Sequence, residues 1–538
     1  MAEPTLFDEA SLALIASGGA GKDGKVYSIK PTTGDGDFTF SRGSNLAATR
    51  VGADGLIEKG RENLLLQSNQ FDTTWDDSSI ITLTSGQQDK DGGTSAWKLA
   101  KGAASSFLYQ SITTSGVNTF SLYAKADTTN WIMLQVSAIA SVRTFFDLSN
   151  GVLGSSLSNV INAEIESIGN GWYRCSFTYN GNAGAVRVFP ADGNNDTSGT
   201  SGSIYIQDAQ LEQGLVASDV ISTTTTSVSA GILEDTPRLD YSGGASCPSL
   251  LLEPSRTNIE TLSEYFKGWN AVSNVTRTTN YEGSPEGVDN ATRLEFTGNG
   301  FLYNGATPAQ VNGSTYTMTC YAKRNDSGTQ NFGFFKNGSL VVNSVMALTT
   351  EWKRFEYTFT ATNTSRQGLA GVSGADVSVY GFQIEKDASY PTSYIPNHSG
   401  TGSVTRGADS CLDSNVIDAD NDFTFYFEST LMPENFTGKY FDNQSNGYLS
   451  GYNIAGSNLR HRFSGTNYSF TAPEGVFKYL IRKDSTNMKL YLNGTLEYTI
   501  TTLPTGTNDL ELLGGKVHKT LLFPTALSDD ECIELTTI

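Results

Sequence analysis

The 538-residue chain has few charged residues, few cysteines and no long apolar run. Its apolar stretch near the start, residues 12–15, is too short for a signal-peptide core or a membrane span. Five cysteines, odd in number and without a CxxC pair, exclude a zinc ribbon and a disulfide framework. The sequence therefore predicts buried thiols, synthesis in a reducing cytoplasm, no export signal and no membrane insertion.

The balance of charge is acidic, with 36 Lys and Arg against 56 Asp and Glu, a net charge of −20. Such a chain repels phosphate backbones, so no nucleic-acid partner is expected. What is abundant is glycine, at 55 residues, and aromatic side chains, at 11%. With frequent Ser, Thr and Asn, this composition predicts an all-β protein with many turns, and the length predicts about three domains.

An internal repeat is the clearest feature of the chain. Four motifs occur twice in the same order: residues 63–71 with Trp75 and 258–266 with Trp269; 121–127 and 319–325; 172–179 and 352–359; 209–212 and 382–385. Within each copy, apolar residues alternate with polar ones, as in Tyr173, Cys175 and Phe177 against Arg174 and Ser176. The pattern predicts antiparallel sandwiches whose strands have one buried and one wet face.

The region after the second copy has a different sequence and predicts a third β domain. The pair Asn493-Gly494 lies between two period-two strands and predicts a tight hairpin. Ser528 followed by Glu531 predicts a capping box at the start of a short helix. The predicted organisation is an N-terminal segment at 1–60, sandwiches at 61–222 and 236–400, and a third domain at 404–538.

These motifs resemble those of virion-surface proteins of tailed bacteriophages. The tandem unit, with its opening Asn-Leu-Leu, its central Tyr-Ala-Lys, its Gly-Trp-Tyr-Arg at 171–174 and its closing Gln-Leu-Glu, is similar to their carbohydrate-binding-module-like jelly rolls. The last domain resembles a concanavalin-A-like, laminin-G-type sandwich through Leu490-Tyr-Leu-Asn-Gly494. The resemblance implies an all-β chain of two tandem antiparallel jelly-roll sandwiches and a concanavalin-A-like sandwich, preceded by a short N-terminal anchoring segment.

Signals for catalysis are weak. The three histidines, His398, His461 and His518, are scattered, and no Gly-x-Ser-x-Gly elbow occurs. No acidic residue stands in a motif that would mark it as one of a glycosidase pair. The separation of two carboxylates, which such chemistry requires to be about 5–10 Å, cannot be measured from sequence. We therefore expect a protein that is not an enzyme and has no cofactor, with structural Ca²⁺ left open at Asp192, Asp196 and Asp420.

Tryptophan rings are the usual platform for sugars, because C–H faces of a pyranose stack on the indole. Trp75 and Trp269 recur at matching places in the repeat, so both core packing and sugar stacking remain open for them. Trp131 has no counterpart in the second copy and is the tryptophan least explained by the repeat. The three are the candidate carbohydrate-binding residues.

The resemblance implies a structural protein on the virion surface, a head or tail fibre or a capsid decoration. Its N-terminal segment would contact capsid or tail proteins, its copies would form a homotrimer or another homo-oligomer, and its domains would adhere to cell-surface or environmental glycans. Two alternatives stay open: a phage polysaccharide depolymerase, and a decoration protein that stabilises the capsid and binds no ligand.

Overall fold

The computed structural model describes residues 6–18, 21–78, 80–137, 142–272, 274–328, 331–336, 342–430, 438–443, 448–453, 458–463, 465–471, 475–512 and 514–538. Strands dominate, and the strand pairs found in these ranges are antiparallel, so the all-β prediction is confirmed. Among the described residues, no helix has the length and apolar character that crossing a membrane requires.

The first elements precede the repeat. They are α1 (Leu6–Glu9), β1 (Leu12–Ile15), β2 (Gly21–Lys22), β3 (Lys25–Val26), β4 (Phe38–Ser41), β5 (Thr49–Val51), β6 (Ile57–Lys59) and β7 (Arg61–Asn63). β5 and β6 form a hairpin of their own. β2 pairs with β3 and β3 with β4, whereas β1, β4 and β7 also pair with strands that lie far along the chain.

The first copy of the repeat forms a sandwich of two six-stranded sheets. Its strands are β8 (Asp76–Asp77), β9 (Ile81–Gln87), β10 (Ala96–Lys101), β11 (Leu108–Thr114), β12 (Val117–Ala126), β13 (Trp131–Ser137), β14 (Val142–Asp147), β15 (Val152–Ser156), β16 (Val160–Gly169), β17 (Trp172–Asn180), β18 (Ala183–Ala191) and β19 (Gly202–Gln213). One sheet has the order β16-β17-β12-β19-β10-β9 and the other β15-β14-β13-β18-β11-β8. Their facing apolar side chains form one core.

The second copy repeats this arrangement after three connecting strands. In chain order these elements are β20 (Val228–Ala230), β21 (Leu239–Asp240), β22 (Ser249–Leu252), β23 (Arg256–Asn258), a 3₁₀ turn (Phe266–Gly268), β24 (Asn270–Val272), β25 (Val275–Glu282), β26 (Ala291–Phe296), β27 (Gly300–Tyr303), β28 (Thr315–Arg324), β29 (Phe332–Phe335), β30 (Ser344–Val345), β31 (Lys353–Thr360), β32 (Gly368–Gly371) and β33 (Asp376–Lys386). A sheet containing β25, β26, β28, β31 and β33 packs on the sheet β24-β27-β32-β29-β30.

The third sandwich contains strands from three distant parts of the chain. β34 (Val404–Arg406) pairs with β23 and belongs to the second sandwich. The C-terminal elements of the third sandwich are β35 (Ser410–Asp418), β36 (Phe423–Thr430), β37 (Gly438–Asn443), β38 (Tyr448–Asn453), β39 (Asn458–Phe463), β40 (Thr466–Thr471), β41 (Val476–Lys483), β42 (Met488–Leu492), β43 (Thr495–Ile500), β44 (Thr507–Leu512), β45 (Gly515–Phe523) and α2 (Asp529–Thr536). β1 and β22 both pair with β45, and β4 pairs with β35. Residues from three of the predicted units, 1–60, 236–400 and 404–538, thus contribute strands to the third sandwich, and the predicted domain boundaries stay predictions.

A buried ion cluster joins the segments that meet at this sandwich. Asp409 accepts hydrogen bonds from Arg42 (2.8 Å) and Arg238, and Glu253 pairs with Arg238 (2.7 Å) and Arg406 (2.9 Å). The three guanidinium groups have no exposed area. Such a cluster costs much desolvation, and losing one partner would leave an uncompensated buried charge. The cluster therefore fixes how the N-terminal strands, the connecting strands and the start of the third sandwich meet.

Two local predictions are confirmed. Ser528 caps α2 and exchanges both capping-box hydrogen bonds with Glu531. Asn493 and Gly494 take positive φ angles of 46° and 82° between β42 and β43, as a tight hairpin of this kind requires. Both signals are local in sequence, and no distant contact overrides them.

Two other predictions are wrong. Cys247 is exposed, whereas the remaining four cysteines are buried as expected, because Cys247 lies in the turn between β21 and β22. Ser176 and Thr178 were expected on a wet face, but both are buried. A later segment of the chain covers that face, with Thr178 donating a hydrogen bond to the carbonyl of Leu215 (3.0 Å).

Candidate functional site

Two of the three candidate tryptophans are core residues. Trp75 is 6% exposed and packs against Phe71, and its indole N–H donates to the carbonyl of Gln67 (3.2 Å). Trp269 is 3% exposed and donates to the carbonyl of Leu262 (3.0 Å). With their rings inside the sandwiches, neither can present a face to a sugar. The sugar-stacking interpretation is therefore corrected for both: Trp75 and Trp269 recur in the repeat because each packs in the core of its sandwich.

The other repeat motifs also serve the fold. The opening Asn63 accepts hydrogen bonds from the backbone N–H of Leu65 and Leu211, and Asn258 makes the equivalent bonds in the second copy. In the closing motif, the Gln210 amide donates to Glu212 (2.6 Å). These side chains fasten the first strand of each sandwich to its last, so the motifs that reveal the repeat do not mark a binding site.

One sheet of each sandwich is covered by its own chain. In the first copy, the hydroxyl oxygens of Thr119 and Thr178 lie 2.7 Å apart on the outer face of β12 and β17, and Thr119 donates to the carbonyl of Gly214 (3.0 Å). Thr317 makes the matching bonds to Thr358 and to the segment after β33. The segment that follows the last strand thus occupies this face in both copies. The outer side of the opposite sheet in the first copy carries a separate apolar cluster instead.

Trp131 lies on that opposite sheet. In β13, Ile132 and Leu134 belong to the sandwich core, so their neighbours Trp131, Met133 and Gln135 point to the outer face. Trp131 is half-buried and packs on a separate apolar cluster. Its position on this face agrees with a role in binding and remains a prediction.

The cluster beneath Trp131 forms an apolar floor. Met133 pairs in register with Phe145 on β14 and with Phe189 on β18, and all three side chains are buried. The ring of Phe107 lies 4.7 Å from that of Phe189, centroid to centroid. We call the outer surface formed by Phe107, Tyr109, Trp131, Met133, Gln135, Arg143, Phe145, Arg187 and Phe189 the aromatic face.

Two arginines supply polar groups to the aromatic face. The guanidinium of Arg187 lies 4.7 Å over the ring of Phe107 and donates to the amide oxygen of Gln135 (3.4 Å). Arg143 donates to Asn195 (3.4 Å) from the neighbouring strand β14. The Nε of each arginine is buried without a hydrogen-bond partner. Stacking surfaces beside unsatisfied N–H donors are what a pyranose ring and its hydroxyls require.

The second sandwich has a related face with different chemistry. Phe301 and Tyr303 on β27 stack on each other (6.1 Å between centroids), and Phe301 also contacts Phe335 (4.8 Å). By register, Gly368 stands where the first copy has Arg187. The aromatic rings therefore pack together without the matching arginine, and the first sandwich has the better-equipped face.

The sequence contained one signal for these faces that sequence reasoning missed. Phe107-Leu108-Tyr109 recurs as Phe301-Leu302-Tyr303, and in each case the leucine enters the core while the two aromatic residues face outward. An aromatic pair that flanks a core leucine in both copies is a fifth match of the repeat. Arg187 and Gln135 carry no such signal, since their neighbours are known only from the register.

The calcium candidates do not come together. Asp192 accepts from the ammonium of Lys101 (2.6 Å), Asp196 lies in the adjoining turn, and Asp420 accepts from the N–H of Gly506 (2.9 Å) in the third sandwich. Among the residues that the structure describes, no three His, Cys, Asp or Glu side chains are placed to hold a metal. Calcium binding at these residues stays a prediction.

The histidines are also dispersed. The Nε2 of His398, which is buried, lies 3.6 Å from a carboxylate oxygen of Glu264. Burial lowers the pKa of His461 to about 3. The Nε2 of His518 lies 2.8 Å from the hydroxyl of Thr430. Burial opposes ionisation of Glu264, but the ammonium of Lys59, 2.9 Å away, holds the pKa of that carboxyl below its usual range. Glu264 is thus a structural anion that is already paired.

Comparison with known proteins gives no family. No family model matches the chain, and no curated protein matches it either. Solved structures with some likeness include domain 4 of AbnA, a GH43 extracellular arabinanase from Geobacillus stearothermophilus in complex with arabinotriose (13% identity, 24% of this chain and 73% of that one, TM-score 0.21).

Two further structures are of carbohydrate-binding modules. One is the Ruminococcus gnavus IT-sialidase CBM40 bound to α2,3-sialyllactose (18% identity, 22% of this chain and 83% of that one, TM-score 0.18). The other is the CBM22-1–CBM22-2 tandem domain of Paenibacillus barcinonensis Xyn10C (9% identity, 64% of this chain and 99% of that one, TM-score 0.22). TM-scores this low establish neither a fold nor a ligand for this chain.

Proposed function

We propose that the protein binds glycans through the aromatic face of its first sandwich and does not cleave them. The observation that carries the proposal is the half-buried ring of Trp131 on the outer side of this sheet, with Arg143 and Arg187 on the same side, four strand positions further along β13. The ring stacks on one sugar of an oligosaccharide, and the arginines, about 13 Å further along the strands, donate hydrogen bonds to hydroxyl oxygens of another sugar of the same chain.

The proposed setting is the surface of a tailed-phage particle, as a fibre or a decoration. The resemblance of the repeat motifs to phage virion-surface proteins supports this setting. On such a particle, many copies would bind a glycan-coated cell together, and the effective concentration of each site would turn weak single contacts into firm adhesion.

The binding proposal is tested on a glycan microarray with the full chain. We expect the wild type to bind a defined subset of the neutral glycans and Trp131→Ala to lose that binding while its thermal transition stays within about 2 °C. Tyr27→Ala removes an aromatic side chain that is exposed elsewhere and serves as the matched control, with binding unchanged. A wild type that binds no glycan, or a Trp131→Ala protein that binds equally well, would refute the proposal.

Two measurements test the rest of the proposal. Incubation with the bound polysaccharide releases no reducing ends if the protein only adheres, whereas release would show a depolymerase. Immunogold labelling of purified particles with an antibody to the third sandwich would mark the tail of a receptor-binding fibre or the capsid of a head fibre or decoration. Unlabelled particles would exclude the virion setting.

A further inference from the structure

A cleft of about 830 Å³ lies between the second sandwich, the β5–β6 hairpin and the third sandwich. Its wall includes Tyr321, Trp352 and Arg354 from the second sandwich, Arg50 from the hairpin and Lys516 from β45. This volume falls in the range of sites for small ligands. The cleft is far from the aromatic face along the chain and is formed by other elements.

The acidic side chains of the cleft are already paired. Asp240 accepts from the N–H of Val51 (2.9 Å) and lies 3.4 Å from the ammonium of Lys516. Glu253 belongs to the buried ion cluster described above. Arg50 is neutralised by Glu58 (2.6 Å). These contacts leave the cleft without an unpaired carboxylate among the lining residues.

Arg354 is different, because the described residues give it no ion pair. It donates one hydrogen bond, to the hydroxyl of Thr319 (3.0 Å), and its Nε is buried without a partner. Its guanidinium lies 5.7 Å from the centroid of Tyr321. The nearby Glu385 has a pKa raised by burial and accepts from Thr392 instead. Arg354 thus offers a positive charge and free N–H groups beside an aromatic ring.

The first copy has a matching arginine, Arg174, whose Nε is likewise buried without a hydrogen-bond partner. Arg174 occupies the equivalent position and lies over Tyr123 in the same way (5.5 Å), but it donates to the backbone carbonyl of Ser218. The preceding tryptophan, Trp172, is 1% exposed there. In the second copy the covering segment makes no such bond to the arginine, and Trp352 lines the cleft. The two copies therefore differ in the contacts of this arginine and in the exposure of the tryptophan two residues before it.

We propose that the cleft binds an anionic sugar residue, with its carboxylate or sulfate on Arg354 and its ring against Trp352 and Tyr321. A planar guanidinium with free N–H groups binds such oxyanions through paired hydrogen bonds. The indole and phenol rings beside it take the apolar face of a pyranose. The site extends the proposed glycan binding to a charged ligand class and uses none of the residues of the aromatic face.

The test is calorimetric titration of the full chain with three tetrasaccharides of equal length. They are galacturonate, its uncharged methyl ester and a sulfated galactose oligomer. We expect at least tenfold tighter binding of one anionic probe than of the ester, and which probe binds separates a carboxylate from a sulfate ligand. Equal binding of the acids and the ester, or binding of none of the three, would overturn the proposal without any variant.

Variants assign the binding to the cleft. Arg354→Gln should weaken the anionic probe at least tenfold, whereas Arg174→Gln, the same change in the first copy, should leave it unchanged. Trp131→Ala should also leave it unchanged, so failure at the aromatic face and failure at the cleft can be told apart. An Arg354→Gln protein that folds and binds the anionic probe as the wild type does would overturn the assignment.

Discussion

Asp413 is a carboxylic acid that the fold does not fully satisfy. Its Oδ2 is buried without a hydrogen-bond partner, and burial raises the pKa of this side chain to about 6, with Asp37 and Asp509 adding to the effect and Lys25 opposing it. Because the folded chain holds this proton more tightly than the unfolded one, the contribution of Asp413 to stability falls as the pH rises from about 4 to about 6.

The substitution Asp413→Asn should therefore stabilise the protein at pH 8 by about 1–3 kcal/mol, since no charge is then buried. At pH 4, where Asp413 is largely protonated in the folded state, the gain should nearly vanish. Urea unfolding at both pH values measures the difference. An equal effect at both values, or destabilisation at pH 8, would contradict the role given to this carboxyl.

Trp75 and Trp131 have different roles, because strands distant in sequence decide how deeply each ring is buried. Trp75→Ala should cost about 3–5 kcal/mol, as for other large core residues, whereas Trp131→Ala should cost less because its ring is half-buried on the outer face. Chemical denaturation of the two variants checks the order. Similar losses would mean that Trp131 is a core residue and would count against the aromatic face.

At the scale of elements, α2 owes its start to one side chain. The Ser528 hydroxyl oxygen accepts a hydrogen bond from the backbone N–H of Glu531 (3.3 Å), and the backbone N–H of Ser528 donates to the Glu531 carboxylate (2.7 Å). Ser528→Ala should destabilise the chain by about 1 kcal/mol, and Ser528→Thr should retain most of the stability. Thermal unfolding of the two variants compares them, and equal stability of Ser528→Ala and wild type would show that the cap is dispensable.

Elements were predictable where their signals are local. The α2 cap and the Asn493-Gly494 turn are complete within a few residues, and the alternating pattern of β17 identified a strand. Which face of β17 is wet was not predictable, since Leu215, some forty positions later, covers it. For the same reason the sequence pointed to Trp131 but not to Arg187, which reaches the aromatic face only through strand pairing.

At the scale of the whole molecule, the ends of the chain fold together. β1 pairs with β45 over four residues, and β4 pairs with β35 over three. An attachment role for the first 60 residues remains a prediction, and β1 and β4 within that segment are also parts of the third sandwich. Pairing across hundreds of residues leaves no trace in composition or period, which is why these strand pairings could not be predicted from sequence.

The fragment 404–538 should therefore not fold as the full chain does. Without β1, β4 and β22, the edges of β35 and β45 lose their partners, and unpaired edges promote aggregation. We expect the fragment to elute as aggregates and to lack a cooperative thermal transition. A monomeric fragment with a sharp transition would show that the N-terminal strands are an accessory to this sandwich.

Photo-crosslinking tests the central claim, glycan recognition by the aromatic face, most directly. The full chain is irradiated with a diazirine derivative of a neutral glycan that it binds, and the labelled peptides are mapped by mass spectrometry. The account predicts labels in the peptides that contain Tyr109, Trp131 and Arg187, all suppressed by excess unlabelled glycan. Competable labels found only in other parts of the chain would contradict it.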